Sequence, residues 1–278
     1  MSLVVARTLA PQGLTFFADT KLTVHDLGRP PGEGCVKVVI PRRDLCIGFA
    51  GAVEPAAATL AALPPHASHR EVVERLVRGH LAGGQNTDYL VGDGSGGLVT
   101  IRQGAATAIG AGWLGDHAAF RDFQGLVQEM EREPEYQPRD AYGRAWHAFD
   151  RVVSWGAHDG VGHFTVEAAL WPGRGYQYRH RQEMYQERLP PLPPGVSVEV
   201  DWGSAETGSS RMETRDATLV GDASGRRVLV LYFPFGKLGY VYLPAEGDGV
   251  ARPVLVRGGW GEFFDVCRSL HGLDFGPE

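Results

Sequence analysis

The apolar residues of this chain change period several times, and the order of the changes limits the folds open to it. From residue 3 to residue 49 they fall in short runs: LVVAR at 3–7, LTFFA at 14–18, CVKVVI at 35–40 and LCIGF at 45–49. Runs of this length, rich in branched and aromatic residues, predict strands. The segments between them, TLAPQG, GRPPGEG and PRRD, carry the Pro, Gly and Asp of turns and loops. Residues 52–63 are then rich in Ala and Leu and stop at Pro64-Pro65, which predicts a helix. Ser68 precedes Glu71 at the spacing of a capping box, and Val72, Val73, Leu76, Val77 and Leu81 follow on one helical face. Residues 88–92 and 97–102 predict strands around a Gly-rich turn. Phe120, Phe123, Leu126, Val127 and Met130 predict a third helix, and Ala141, Ala145, Phe149, Val152 and Val153 a fourth. HFTVEAALW at 163–171 returns to strand.

The order is thus strands, two helices, strands, two helices, strands. Segregated runs of this kind predict α+β layers rather than alternating βαβ units. The 38 glycines in 278 residues agree, favouring hairpins over a helical bundle. Beyond about residue 172 the character shifts. Residues 176–185 fit one more strand of the same sheet, LPPLPPG at 189–195 reads as a stiff connector, and 203–216 as a polar surface loop. Residues 228–233 and 239–243 predict a buried or interface hairpin, 253–257 a strand and 260–271 a short helix. The expected division is a domain at 1–185 and a C-terminal β-rich extension at 186–278.

Composition removes several classes of function. The net charge is −6 with no basic run or basic–aromatic stripe, so neither nucleic acid nor an anionic membrane is an expected partner. No apolar run approaches the ~18 residues of a membrane span, and the first residues lack a secretory pattern. Cys35, Cys46 and Cys267 show no metal-ligand spacing and predict no disulfide framework, so the expected compartment is the cytoplasm. The ten histidines, His66/His69 and His158/His163 included, form no ligand set. The GDGSGG run at 92–97 lacks the Lys-Ser/Thr of a phosphate loop and reads as a hairpin turn. No cofactor and no metal are expected.

The residues that suggest chemistry lie in order along these elements. Ser2 opens the first strand. Ala18-Asp19-Thr20-Lys21-Leu22-Thr23 closes the second, Val36-Lys37-Val38-Val39 lies in the third, and Gly48-Phe49-Ala50-Gly51 ends the fourth. Tyr89-Leu90-Val91-Gly92-Asp93, Ala108-Ile109-Gly110-Ala111-Gly112 and His158-Asp159-Gly160-Val161-Gly162 follow. A serine hydroxyl needs a base, and an α-amine of pKa roughly 7.7–8.0 can serve.

Over about residues 2–185 this series resembles the β-type subunits of proteasomes and their bacterial relatives, which are N-terminal-nucleophile (Ntn) hydrolases. The resemblance implies a four-layer αββα Ntn-hydrolase sandwich, the C-terminal β-rich extension lying outside it. It implies an amidohydrolase or peptidase acting on a peptide or amide substrate and assembling as a homo-oligomer. Ser2 would be the nucleophile after Met1 removal by methionine aminopeptidase, and its free amine the base. Lys37 would lower the pKa of that amine, Asp19 would orient Lys37, the Gly51 N–H would form the oxyanion hole, and Asp159 would support the terminus. Ala111 stands where the family has a serine.

Plainer readings stand beside these. A serine after an initiator Met is common, Lys37 could face solvent at a sheet edge, Asp19 and Asp159 could be turn residues, and Gly51 could serve a strand-to-helix junction. The alternative function is that of a catalytically inactive proteasome-like subunit acting as an assembly, binding or sensor module.

Overall fold

The computed structural model describes residues 2–11, 13–20, 36–64, 66–134, 140–154, 158, 160–162, 165–178, 183–185, 217–221, 229–233, 238–242 and 254–272. Met1, Cys35, Asp159, the loop at 28–34, the connector at 189–195 and the polar loop at 203–216 lie outside the described residues.

The chain opens with the hairpin of β1 (Leu3–Leu9) and β2 (Gly13–Asp19), followed by β3 (Val38–Arg42) and β4 (Leu45–Gly51). Helices α1 (Val53–Ala61) and α2 (His69–Ala82) lead to β5 (Thr87–Asp93), β6 (Leu98–Arg102), β7 (Ala105–Ile109) and β8 (Ala111–Gly115). Next come α3 (His117–Arg132), α4 (Ala141–Ser154), β9 (Thr165–Trp171) and β10 (Gly175–Tyr178). Last are β11 (Glu183–Tyr185), β12 (Ala217–Gly221), β13 (Leu229–Phe233), β14 (Leu238–Tyr242), β15 (Val254–Arg257) and α5 (Trp260–His271).

These strands form three five-stranded sheets, ordered β10-β9-β2-β1-β8, β3-β4-β5-β6-β7 and β11-β12-β13-β14-β15. The described pairings are antiparallel. The first two sheets share a core. Val4, Phe16 and Val166 from one meet Val38, Cys46 and Leu90 from the other. The opposite face of the first sheet, with Leu3, Val5 and Phe17, packs on Phe123, Trp146 and Phe149 of α3 and α4. The opposite face of the second, with Ile47, Phe49 and Tyr89, packs on Ala56, Val72 and Leu76 of α1 and α2. Both faces of β1, β2 and β4 are therefore buried, which explains why these strands read as continuous apolar runs instead of an apolar–polar alternation. The capping box of α2 is formed: Ser68 Oγ accepts from Glu71 N at 3.3 Å and Glu71 Oε2 accepts from Ser68 N at 2.7 Å.

The expected α+β four-layer αββα Ntn-hydrolase sandwich with an extension is corrected by this architecture. The chain is a mixed α/β protein dominated by antiparallel sheet, with fifteen strands and five helices among the described residues. The third sheet matches each of the others in strand number and begins at Glu183, inside the stretch expected to complete the first domain. It has its own core, in which Val230, Val241 and Val256 pack on Phe263, Phe264 and Cys267 of α5. The single strand expected over 176–185 is divided: β10 pairs with β9, whereas β11 pairs with β12. Apolar alternation identifies a strand but does not say which sheet it joins, and that is where the expectation failed. Among the described residues no helix is long and apolar enough to cross a membrane.

Candidate functional site

The β1–β2 hairpin creates the site. Its register pairs Val4 with Ala18, which brings Asp19, at the end of β2, level with Leu3 and beside Ser2. Asp19 Oδ1 accepts a hydrogen bond from Leu3 N at 2.8 Å. Lys37 lies just before β3, where its carbonyl accepts from Phe49 N at 2.9 Å and holds it in line with the second sheet. Its side chain crosses from that sheet to the first, and Nζ lies 2.9 Å from both Asp19 oxygens. Asp19 is 0 % exposed and Lys37 1 % exposed, so the solvent-facing reading of Lys37 does not apply. Burial pushes the Asp19 carboxyl above its ordinary value, and the Lys37 charge with the Leu3 and Gly162 amides pulls against that rise. The Gly162 amide donates to Asp19 Oδ2 at 3.4 Å, which brings the 158–162 segment to the same carboxylate. The Asp159 expected to support the terminus belongs to this segment but lies outside the described residues.

Ser2 is 5 % exposed. Its carbonyl accepts from Asp116 N at 2.7 Å, and Gly115 beside it pairs with Leu3 across the β1–β8 ladder. Gly115 has φ +93°, and a Cβ at that position would collide with the Ser2 carbonyl. Only glycine fits so close an approach. Asp116 also caps α3, its Oδ1 accepting from Ala119 N at 2.9 Å. The sequence signal that marks this residue is an Asp directly ahead of a helical run. Asp116→Ala is expected to lower stability by about 1 kcal/mol through the lost cap, measurable as a shift of the urea midpoint.

Gly51 ends β4 with φ +118°, and a Cβ there would collide with the Asn86 carbonyl. Ala52 N donates to that same carbonyl at 3.0 Å, Thr87 Oγ1 donates to the Ala52 carbonyl at 2.8 Å, and His80 Nδ1 lies 2.7 Å from the Thr87 carbonyl. The junction role of Gly51 is thus present in the fold. Ala111 lies elsewhere. It pairs with Arg7, four residues along β1 from Leu3, or roughly 13 Å at strand rise. The residues of β8 and its end that adjoin Ser2 are Gly115 and Asp116, so the serine-to-alanine departure at 111 removes nothing from this site.

Ser2, Asp19 and Lys37 therefore come together with Gly115, Asp116 and Gly162. The arrangement holds a buried positive charge, through Asp19, next to the first backbone nitrogens of β1. Among the described residues no three His, Cys, Asp or Glu side chains gather as metal ligands do. Compared with known proteins, the chain matches no family model and no curated protein sequence.

Proposed function

We propose that this chain is an Ntn-type amidohydrolase or peptidase whose nucleophile is Ser2 once Met1 has been removed. The observation that carries the reading is the buried Lys37–Asp19 pair, whose Asp19 also binds the amide one residue after Ser2. Burying an ion pair in a core carries a desolvation cost, and buried ionisable groups concentrate at functional sites.

This reading implies the following chemistry. The Ser2 hydroxyl attacks the carbonyl carbon of a peptide or amide, and its proton passes to the free α-amine. The nearby Lys37 charge keeps that amine unprotonated near pH 7. The tetrahedral oxyanion is met by a backbone N–H, the role proposed for Gly51. The C–N bond breaks as the α-ammonium returns the proton to the leaving amine. Water then hydrolyses the ester at Ser2, releasing the acid and restoring the hydroxyl. Cytoplasmic residence and homo-oligomeric assembly belong to the same proposal; the free, buried Cys46 and Cys267 support the first.

The burial of Ser2 favours a second reading, an inactive subunit with an assembly, binding or sensor role. The test uses two preparations, verified by intact mass, one retaining Met1 and one with Ser2 exposed. Acylating probes of peptide and simple-amide type are expected to label only the second, and Ser2→Ala to abolish the labelling. Equal labelling of both would overturn the mechanism, since an acylated nitrogen is not a base. Labelling of neither would favour the inactive subunit.

A further inference from the structure

At the strand ends remote from Ser2, four turns line an open surface cleft of about 440 Å³. The β1–β2 turn contributes Pro11 and Gly13, β3–β4 contributes Arg43 and Asp44, β5–β6 contributes Gly94, and β9–β10 contributes residues 171–175. The first and second sheets both supply walls, and the turns are fastened to one another. Arg43 O accepts from Tyr176 N at 2.7 Å, and Tyr176 Oη donates to the Asp93 carbonyl at 3.1 Å. A Cβ on Gly175 would collide with the Arg43 carbonyl. The walls of this cleft are thus fixed relative to one another by contacts between the elements.

Its charge is one-sided. Arg43 and Arg174 are exposed residues on the lining, and among the described residues neither guanidinium has a hydrogen bond or an ion pair. The one carboxylate among the described lining residues, Asp44, is engaged: Arg42 Nε lies 2.6 Å from its Oδ1, and Arg42 is held in turn by the Ala67 carbonyl at 2.6 Å. Two uncommitted guanidiniums at one cleft are notable in a chain of net charge −6. The remaining wall is apolar, with Leu170, Trp171 and Pro172.

We propose that this cleft is a second binding site, distinct from the Ser2 site, for a small organic carboxylate carried on an apolar body. The carboxylate meets the guanidiniums, whose planar N–H pairs match its two oxygens. The apolar body lies along Leu170 and Trp171. The site does not depend on the hydrolase reading, because none of its residues belongs to the Ser2 constellation.

Calorimetric titration of the full chain with 4-phenylbutyrate tests it, with 4-phenylbutanamide as the uncharged control. A saturable site with Kd of about 1 mM or tighter is expected for a ligand of this size. The amide should bind at least tenfold more weakly, and added salt should weaken the carboxylate but not the amide. Arg43→Gln with Arg174→Gln should cost at least tenfold at unchanged melting temperature. Asp44→Asn, which removes the carboxylate on the described wall, should tighten binding severalfold, a change that misfolding cannot mimic. Equal binding of acid and amide, loss on Asp44→Asn as large as on the arginine substitutions, or no binding of the acid at all would each overturn the proposal.

Discussion

Alanine in place of Lys37 is expected to lower stability by about 3–5 kcal/mol, the range for removing one partner of a buried ion pair. Asp19 stays behind at 0 % exposure, with the Leu3 and Gly162 amides still donating to it but without the ammonium 2.9 Å away. Burial already pushes its carboxyl up, and loss of Lys37 removes the strongest opposing influence, so the folded-state pKa rises further. A carboxyl whose folded pKa exceeds its unfolded value penalises folding as pH rises, and the penalty fades once both states are protonated. The deficit of the variant should therefore be largest near pH 7 and shrink as pH falls toward about 4. Urea denaturation at the two pH values measures it. Replacing both partners by apolar residues, Lys37→Met with Asp19→Leu, should recover only part of the loss, because the buried Leu3 and Gly162 amides then lose their acceptor. A Lys37→Ala cost below about 1 kcal/mol, the range of surface pairs, would contradict the burial of this pair.

Gly115→Ala is the second large effect, on the order of 3 kcal/mol. The backbone there has φ +93° and the added methyl meets a main-chain oxygen, that of Ser2, which has no flexible end to move aside. Relief requires β1 and β8 to separate at Leu3, which also pulls on the Asp116 N–H to Ser2 bond. If Ser2 is the nucleophile, a displacement near 1 Å should slow probe labelling by about 100-fold in the molecules that still fold. Gly125→Ala is the matched control: it lies within α3 with open space at its Cβ, and should stabilise by roughly 0.4–1 kcal/mol. Similar melting temperatures for the two variants would show that the close approach at Gly115 is not a constraint.

Much of the fold was legible because period and packing agreed. β1, β2, β4 and the four helices from 53 to 154 stand where their apolar residues predicted, since each buries most of the face that the spacing marked; Leu81, at the end of α2, is the exception and lies exposed. The meeting of Lys37 with Asp19 was anticipated from two motifs and is formed. β7 and β8 were missed. AATAI and AGWLG are rich in Ala and Gly, which favour strands poorly, and they are recruited by the neighbours they pair with, β6 and β1. Missing β8 had a cost at the site, because its register decides that Gly115 and Asp116, and not Ala111, adjoin Ser2. The fold class failed for a related reason: β11 is only three residues long, and it joins a third sheet through β12, which begins at Ala217.

The two described cysteines act as built-in clocks for the opening of separate parts of the molecule. Cys46 sits between the first two sheets, where burial pushes its thiol well above the ordinary range. Cys267 sits beneath the third sheet on α5, its thiol pushed up to about 12. Alkylating reagents attack thiolates that solvent reaches, so neither sulfur reacts while its layer is closed. The rate at which Cys46 is modified counts separations of the paired sheets, and the rate at Cys267 counts departures of α5. Their ratio tells whether the amino-terminal sheets and the carboxyl-terminal sheet open as one cooperative body or as two.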